Sequence, residues 1–168
     1  MLFSDSKKTG VICGLSIVLF LLVIWVLQKE LLWNPWVFNL TWLPCFYFVF
    51  IGVKNYSLQN SEAEFRDLVR EGFVVYLIAQ ILYYLFYYLL FYHLDPGLLE
   101  LQVEIELRLL EESRGILGED RADEMIRNLQ DGIEKPGPGS LFRQFVPSLL
   151  PGFVLAAVFA LIVKKAEY

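Results

Sequence analysis

Residues that bind metals or start catalysis are scarce in this sequence. Its 168 residues include one histidine, His93, and two cysteines, Cys13 and Cys45. One histidine cannot form a bis-histidine haem site or a multi-histidine metal site, and two cysteines inside apolar segments do not indicate a disulfide framework. A glycine-rich phosphate loop, a paired-cysteine motif and a nucleophile elbow are also missing. We therefore expect no catalytic residue, no metal site and no cofactor, in a protein that is not an enzyme.

An excess of positive charge is missing as well. The formal net charge is -5, and nucleic-acid binding depends on lysine and arginine, so a nucleic-acid partner is excluded. Hydrophobic residues make up 57% of the chain and the mean hydropathy is +0.51, which excludes an ordinary soluble domain. Charged residues still account for 20%, so they must be segregated from the apolar ones.

Four stretches contain no Asp, Glu, Lys or Arg: residues 9–27, 36–53, 73–92 and 145–163. As helices they are each roughly 27–30 Å long, which matches the hydrocarbon thickness of a bilayer. A soluble four-helix bundle would show a polar face on each helix, and these stretches have none. The first stretch is too long for a signal peptide and no cleavage site follows it. The sequence predicts an all-α polytopic membrane protein with four transmembrane helices, a single integral membrane domain over residues 1–168.

Basic residues indicate the orientation. With four spans, both termini and the connection between spans two and three lie on one side of the membrane, where the basic residues are denser and closer to the helix ends. These residues are Lys7, Lys8, Lys54, Arg66, Arg70, Lys164 and Lys165. We expect a bacterial inner-membrane protein with cytoplasmic termini. Tryptophans at positions 25, 33, 36 and 42 surround the turn between spans one and two, where indole rings prefer the headgroup level.

Small residues recur at a spacing of four on two spans. Gly10 and Gly14 lie on span one, and the last span carries Ser148, Gly152, Ala156 and Ala160. Small residues allow helix backbones to approach closely in lipid. We predict that both faces contact helices, and the sequence leaves open whether they contact each other.

Span three has a polar face formed by Tyr76, Gln80, Tyr83 and Tyr87, which fall within a wedge of about 60°. An unpaired polar group in lipid is costly, so this face should point to protein. Hydrogen bonding between helices is the interpretation we favour, because no span contains a charged residue. The alternative is a polar lining for a small molecule or an ion path.

Prolines and caps predict local breaks. Pro44 lies inside span two and should kink it, whereas Pro147 is expected in the first turn of span four, where proline is tolerated. Ser61 followed by Glu64 predicts a capping box before span three.

The connection between spans three and four, residues 93–144, holds 12 of the 19 acidic residues. Good helix formers from Leu99 to Leu109, with Glu104 and Arg108 four apart, predict one helix. A second, amphipathic helix is predicted from apolar residues at positions 122, 125, 126, 129 and 133. We expect an extracytoplasmic acidic helical hairpin over about 95–135 that serves as a docking surface. Asp120, Asp123 and Glu124 lack the spacing of a calcium loop, so a solvated face is expected there.

The order of several landmarks resembles a family of small bacterial inner-membrane proteins, domain of unknown function 4199. The landmarks are Gly52, Lys54 and Tyr56; Phe65 to Gly72; Asp95 and Pro96 with Leu98, Leu99 and Glu100; Lys135 to Gly139; and Lys164 with Lys165. The resemblance implies a four-span bacterial membrane protein and no activity or catalytic residue.

Two functions follow from the sequence. The first is a non-enzymatic accessory or assembly protein that associates, through the acidic hairpin, with a membrane or periplasmic protein. The alternative is an oligomeric small-molecule transporter or channel lined by the span-three Tyr/Gln face. In both, the lipid bilayer is a partner and the chain can form a homo-oligomer.

Overall fold

The structure, a computed structural model, describes residues 5–131 and 138–166. All regular secondary structure in these residues is helical, which confirms the all-α prediction. The helices are α1 (Asp5–Leu27), α2 (Pro35–Leu40), α3 (Trp42–Gln59), α4 (Phe65–Leu89), α5 (Leu98–Glu112), α6 (Arg114–Leu117), α7 (Glu119–Asp131) and α8 (Pro138–Ala166). A 3-10 turn, Lys29–Trp33, precedes α2, and a π-helical turn, Leu90–Leu94, follows α4.

Four segments are long and apolar enough to cross a membrane. They are Asp5–Leu27, Pro35–Gln59, Phe65–Leu94 and Leu141–Lys165, and each contains one of the predicted spans. Large apolar side chains such as Leu19, Leu43 and Leu150 are exposed on the outer surface of the bundle. An apolar surface of this extent is stable in lipid and not in water.

Helix α4 occupies the centre of the bundle, where it packs against α1, α3 and α8. Helix α3 in turn packs against α1 and α8. The fully buried residues Val75 and Ala79 lie on α4. The third span therefore provides the surface on which the other three assemble.

Glycines make this close packing on α4 possible. A Cβ atom added at Gly10 would lie 2.9 Å from the carbonyl oxygen of Val75, and one at Gly14 would lie 2.6 Å from Leu82 Cδ1. On α8, a Cβ at Gly152 would lie 2.0 Å from Tyr76 Cδ1. Both predicted small-residue faces thus contact α4.

The remaining small residues of the α8 face lie at the same contact. Ala156 and Ala160 are fully buried, and a Cβ added at Gly72 of α4 would lie 3.1 Å from the Cβ of Ala156. Ser148, one turn before Gly152, accepts a hydrogen bond from α4 at its backbone carbonyl.

The second span is interrupted at Thr41 and not at Pro44. Proline has no N–H and its ring clashes with the carbonyl four residues earlier, which here belongs to Leu40, the last residue of α2. A helix that restarts at Trp42 places Pro44 in its first turn, where proline is tolerated. The expected kink at Pro44 is therefore a break three residues earlier.

Two further local predictions are wrong. Helix α8 begins at Pro138, so Pro147 and Pro151 both lie inside it and not in its first turn. Helix α4 is capped by Glu64, whose backbone N–H donates to Asp67 Oδ2 at 3.3 Å, in place of the predicted Ser61–Glu64 box. In both cases the helix continues beyond the apolar stretch that defines the span.

Helices α5 and α7 pack against each other, and α5 also packs against the 3-10 turn. Arg108 pairs with Glu104 at 3.3 Å, as predicted from their spacing. Gly118, with φ of +86°, forms the turn into α7, a conformation that side chains other than glycine rarely adopt. Ile133 and Lys135 lie outside the described residues. The side of the membrane on which these helices lie stays a prediction.

Candidate ligand chamber

A cavity of about 820 Å³ lies between the spanning helices and α5. We refer to it as the chamber. Its inner part is lined by Thr41, Cys45, Tyr76, Gln80, Tyr83 and Ser148. Its outer part is lined by Trp33, Phe91, Leu99, Gln102, Val103 and Glu106. Along α4 and the π-helical turn the lining runs from Tyr76 to Phe91, a distance of about 22 Å at the helical rise per residue.

All four residues of the predicted polar face line the chamber. Tyr76 also joins two helices: its hydroxyl donates to the carbonyl oxygen of Ser148 at 2.8 Å, and its side chain is only 1% exposed. Gln80, Tyr83 and Tyr87 are half-buried. The sequence leaves two interpretations of this face, hydrogen bonding between helices and the lining of a cavity. In the structure Tyr76 makes a hydrogen bond between helices and all four residues line the chamber. The role of the face in function stays a prediction.

Aromatic rings form a continuous wall on the α4 side of the chamber. The rings of Tyr83 and Tyr87 are 4.8 Å apart, and those of Tyr87 and Phe91 are 5.2 Å apart. Trp33 from the 3-10 turn stacks on Phe91 at 5.6 Å with an interplanar angle of 7°. Contacts of this geometry stabilise the wall beyond the area that the rings bury.

The outer part of the chamber carries negative charge. Glu106 is half-buried and accepts a hydrogen bond from Gln102 Nε2 at 2.8 Å, and Glu100 is exposed at the rim. Among the described residues that line the chamber there is no lysine, arginine or histidine. Hydroxyl and amide groups therefore line its inner end, whereas its outer end also carries carboxylates.

A polar junction attaches α5 to the bundle next to this rim. Asp95 forms an ion pair with Lys29 and accepts a hydrogen bond from Trp25 Nε1 at 3.1 Å. The Asp95 side chain is 17% exposed. Hydrogen bonding to the Lys29 ammonium, and secondly to Trp25, lowers the pKa of Asp95 from its ordinary value.

Other sequence candidates lie away from the chamber. Asp123 accepts a hydrogen bond from Arg114 Nη1 at 2.8 Å, and Glu111 is bound by the same guanidinium. His93 lies in the π-helical turn, where its ring is 5.8 Å from that of Tyr88. In the part of the chain that the structure describes, no group of three or more His, Cys, Asp or Glu side chains is placed to hold a metal ion.

The sequence does not predict that α5, Trp33 and Trp42 line the chamber. It places Trp33 and Trp42 at the headgroup level, yet both line the chamber. A signal for α5 is present, because Leu99, Val103 and Glu106 follow the i, i+4, i+7 spacing of one helix face. The tryptophans have no such signal, since depth in the membrane does not determine which way a ring points.

A bundle of four helices able to span a membrane, with a chamber between the spans and an attached helical segment, defines a small multi-pass membrane protein with a cavity among its helices. Residues 8–165 match the family described as Protein of unknown function (DUF4199), and the chain belongs to that family. No curated protein matches the chain, and no solved structure matches it.

Proposed function

We propose that the protein binds a small amphipathic molecule in the chamber and transfers it between the membrane and the side on which α5 and α7 lie. One observation carries this proposal, the cavity of about 820 Å³ that joins the intramembrane Tyr/Gln face to α5. Binding sites for small molecules are typically concave, about 300–1,000 Å³ in volume and mostly apolar with a few polar groups. The volume of the chamber lies within this range, and its lining combines apolar side chains with polar ones.

The lining favours an amphipathic ligand over a water-soluble one. Leu99, Val103 and the aromatic wall offer apolar contacts, and hydroxyl, amide and carboxylate groups lie among them in the same lining. Four spans are few for a carrier that acts alone, so in this proposal an oligomer carries out the transfer.

A binding experiment with a matched pair of variants tests the proposal. The probe is the neutral fluorophore N-phenyl-1-naphthylamine, titrated into the protein in phosphatidylcholine nanodiscs with empty nanodiscs as background. We expect saturable binding that Gln80→Trp abolishes, because a larger side chain fills the inner chamber. Leu85→Trp adds the same indole to an exposed position of the same helix and should leave binding unchanged. Absence of saturable binding, or equal binding by both variants, would refute the proposal.

We propose an accessory role as a second candidate, on the basis of the segment between α5 and α7. Ile116 is 90% exposed there, and Glu119 and Asp120 beside it are exposed carboxylates. An exposed apolar residue followed along the chain by exposed carboxylates suits a contact with a basic surface of another membrane or periplasmic protein. Purification in mild detergent should then recover a partner that Ile116→Ser releases. Recovery of the chain alone from native membranes would count against this role.

We also propose a bacterial inner-membrane location with cytoplasmic termini. Lysines and arginines concentrate near the helix ends on that side, including Lys54 in the last two turns of α3 and Lys164 with Lys165 at the end of α8. Alkaline phosphatase fused after Lys165 should be inactive and the same reporter inserted at Gly115 should be active. The reverse pattern would show the opposite orientation.

A further inference from the structure

We infer that the ligand of the chamber is an amphipathic organic cation, with its apolar body against the aromatic wall and its positive group at Glu106. This inference rests on the proposed function and specifies the chemical class of its ligand. The first support is the charge of the lining: Glu100 and Glu106 contribute carboxylates, and no described lining residue contributes a basic group.

The second support is that neither of these two carboxylates forms an ion pair with another described residue. The ion pairs found among residues 5–131 and 138–166 engage Asp95, Glu104, Glu111 and Asp123, and neither Glu100 nor Glu106. Glu106 is half-buried, and its hydrogen bond from Gln102 is an uncharged contact. A carboxylate next to an apolar cavity interacts with a positive charge more strongly than one in bulk water does.

The third support is the aromatic wall. Tyr87, Phe91 and Trp33 form a chain of ring contacts and line the same chamber as the two carboxylates. Ring faces attract alkylammonium groups through the π-electron quadrupole, and this attraction increases when the group is desolvated. Carboxylate and ring faces therefore act on the same kind of ligand.

The same lining disfavours anions. A fatty acid or an alkyl sulfate would place its negative head beside Glu106 with no compensating cation among the described lining residues, or would leave its head in the apolar part of the chamber. Charge thus separates two classes of ligand that would fill the volume equally well.

The test compares three probes that share a dodecyl chain: dodecyltrimethylammonium, dodecyl sulfate and neutral dodecyldimethylphosphine oxide. Each displaces N-phenyl-1-naphthylamine from the protein in phosphatidylcholine nanodiscs, at concentrations that leave the nanodiscs intact. We expect half-displacement by the cation at a concentration at least tenfold lower than by the sulfate. Glu106→Gln should raise the concentration of the cation needed by about tenfold and lower that of the sulfate. Glu112→Gln removes an exposed charge from the same helix outside the lining and should match the unchanged protein.

The possible results separate this inference from the proposed function. Displacement by all three probes at similar concentrations, or a preference for the sulfate, overturns the inference but leaves a ligand-binding chamber. Failure of the fluorophore to bind at all refutes the proposed function itself. Thermal unfolding of Glu106→Gln is measured in parallel. If that variant is unstable, Glu100→Gln at the exposed rim and the cation-to-sulfate ratio of the unchanged protein decide the question.

Discussion

Substitution of Gly152 by alanine is a sharp test of the packing between α4 and α8. The added Cβ would lie 2.0 Å from Cδ1 and 2.1 Å from Cε1 of Tyr76, far inside van der Waals contact. The ring cannot turn aside freely, because it is 1% exposed and its hydroxyl is bonded to the Ser148 carbonyl. Either the ring or the α8 backbone must therefore move.

The expected cost follows from these contacts. Overpacking of a well-packed core costs about 1–3 kcal/mol, and loss of the Tyr76 hydrogen bond adds about 1 kcal/mol. The higher helix propensity of alanine returns at most about 1 kcal/mol. We expect Gly152→Ala to lower the free energy of unfolding by about 1–3 kcal/mol.

The assay is unfolding by sodium dodecyl sulfate from dodecyl maltoside micelles, followed by far-ultraviolet circular dichroism. Gly115→Ala is the matched control, because a Cβ at that glycine has no neighbour within 4 Å. Its free energy of unfolding should be unchanged or slightly higher. In a Tyr76→Leu background the cost of Gly152→Ala should fall below about 1 kcal/mol, since the two positions then no longer collide.

Two results would refute this reasoning. One is a free energy of unfolding for Gly152→Ala within about 0.5 kcal/mol of the unchanged protein. The other is a cost of Gly152→Ala that is the same with and without the Tyr76→Leu substitution, because that would locate the strain elsewhere than at the ring.

Two further predictions concern other contacts. Asp95→Asn should lower the free energy of unfolding by about 1 kcal/mol at neutral pH, because it removes the charge that pairs with the partly exposed Lys29. The pKa of Asp95 is lowered in the folded protein, so the difference between the two proteins should be constant above the ordinary pKa of an aspartate and disappear as the pH falls through the lowered value. A difference that grows in acid would contradict this sign. Cys13 on α1 and Cys45 on α3 are both buried, these two helices pack against each other, and the two thiols interact, so oxidation by copper phenanthroline should remove two hydrogens from the intact mass of the monomer. Cys45→Ser should keep its full mass, and an unchanged mass of the parent would contradict this contact.

The spans were predictable because the absence of charge is a strong signal, but their limits were not. Helix α4 starts at Phe65, eight residues before the apolar stretch at 73, since a helix continues through charged residues once it leaves the hydrocarbon. Charged residues in the sequence indicate where the hydrocarbon region ends, but they do not indicate where the helix ends. The same reasoning explains why α8 begins at Pro138.

The faces of the helices were predictable, whereas their partners were not. The spacing of Gly10 with Gly14 and of Ser148 with Gly152 indicates a contact, yet nothing in either pattern names α4 as the helix contacted. The chamber depends on how α5 and the 3-10 turn lie against the spans, a tertiary relation between residues about 70 positions apart, as the hydrogen bond from Trp25 to Asp95 illustrates. Patterns within one helix do not indicate which residues far apart in the sequence lie next to each other.

The central place of α4 has a consequence for biosynthesis. A chain is made from its amino terminus, so α1 and α3 enter the bilayer before the ribosome has released the third span. Until then, Val75 and Leu82 of α4 are not available to pack against Gly10, Gly14 and Gly52. The surfaces at these glycines are then open to lipid. A nascent chain that stalls before Phe65 is therefore an incompletely packed pair of helices. The bundle can assemble only after α4 has been synthesised.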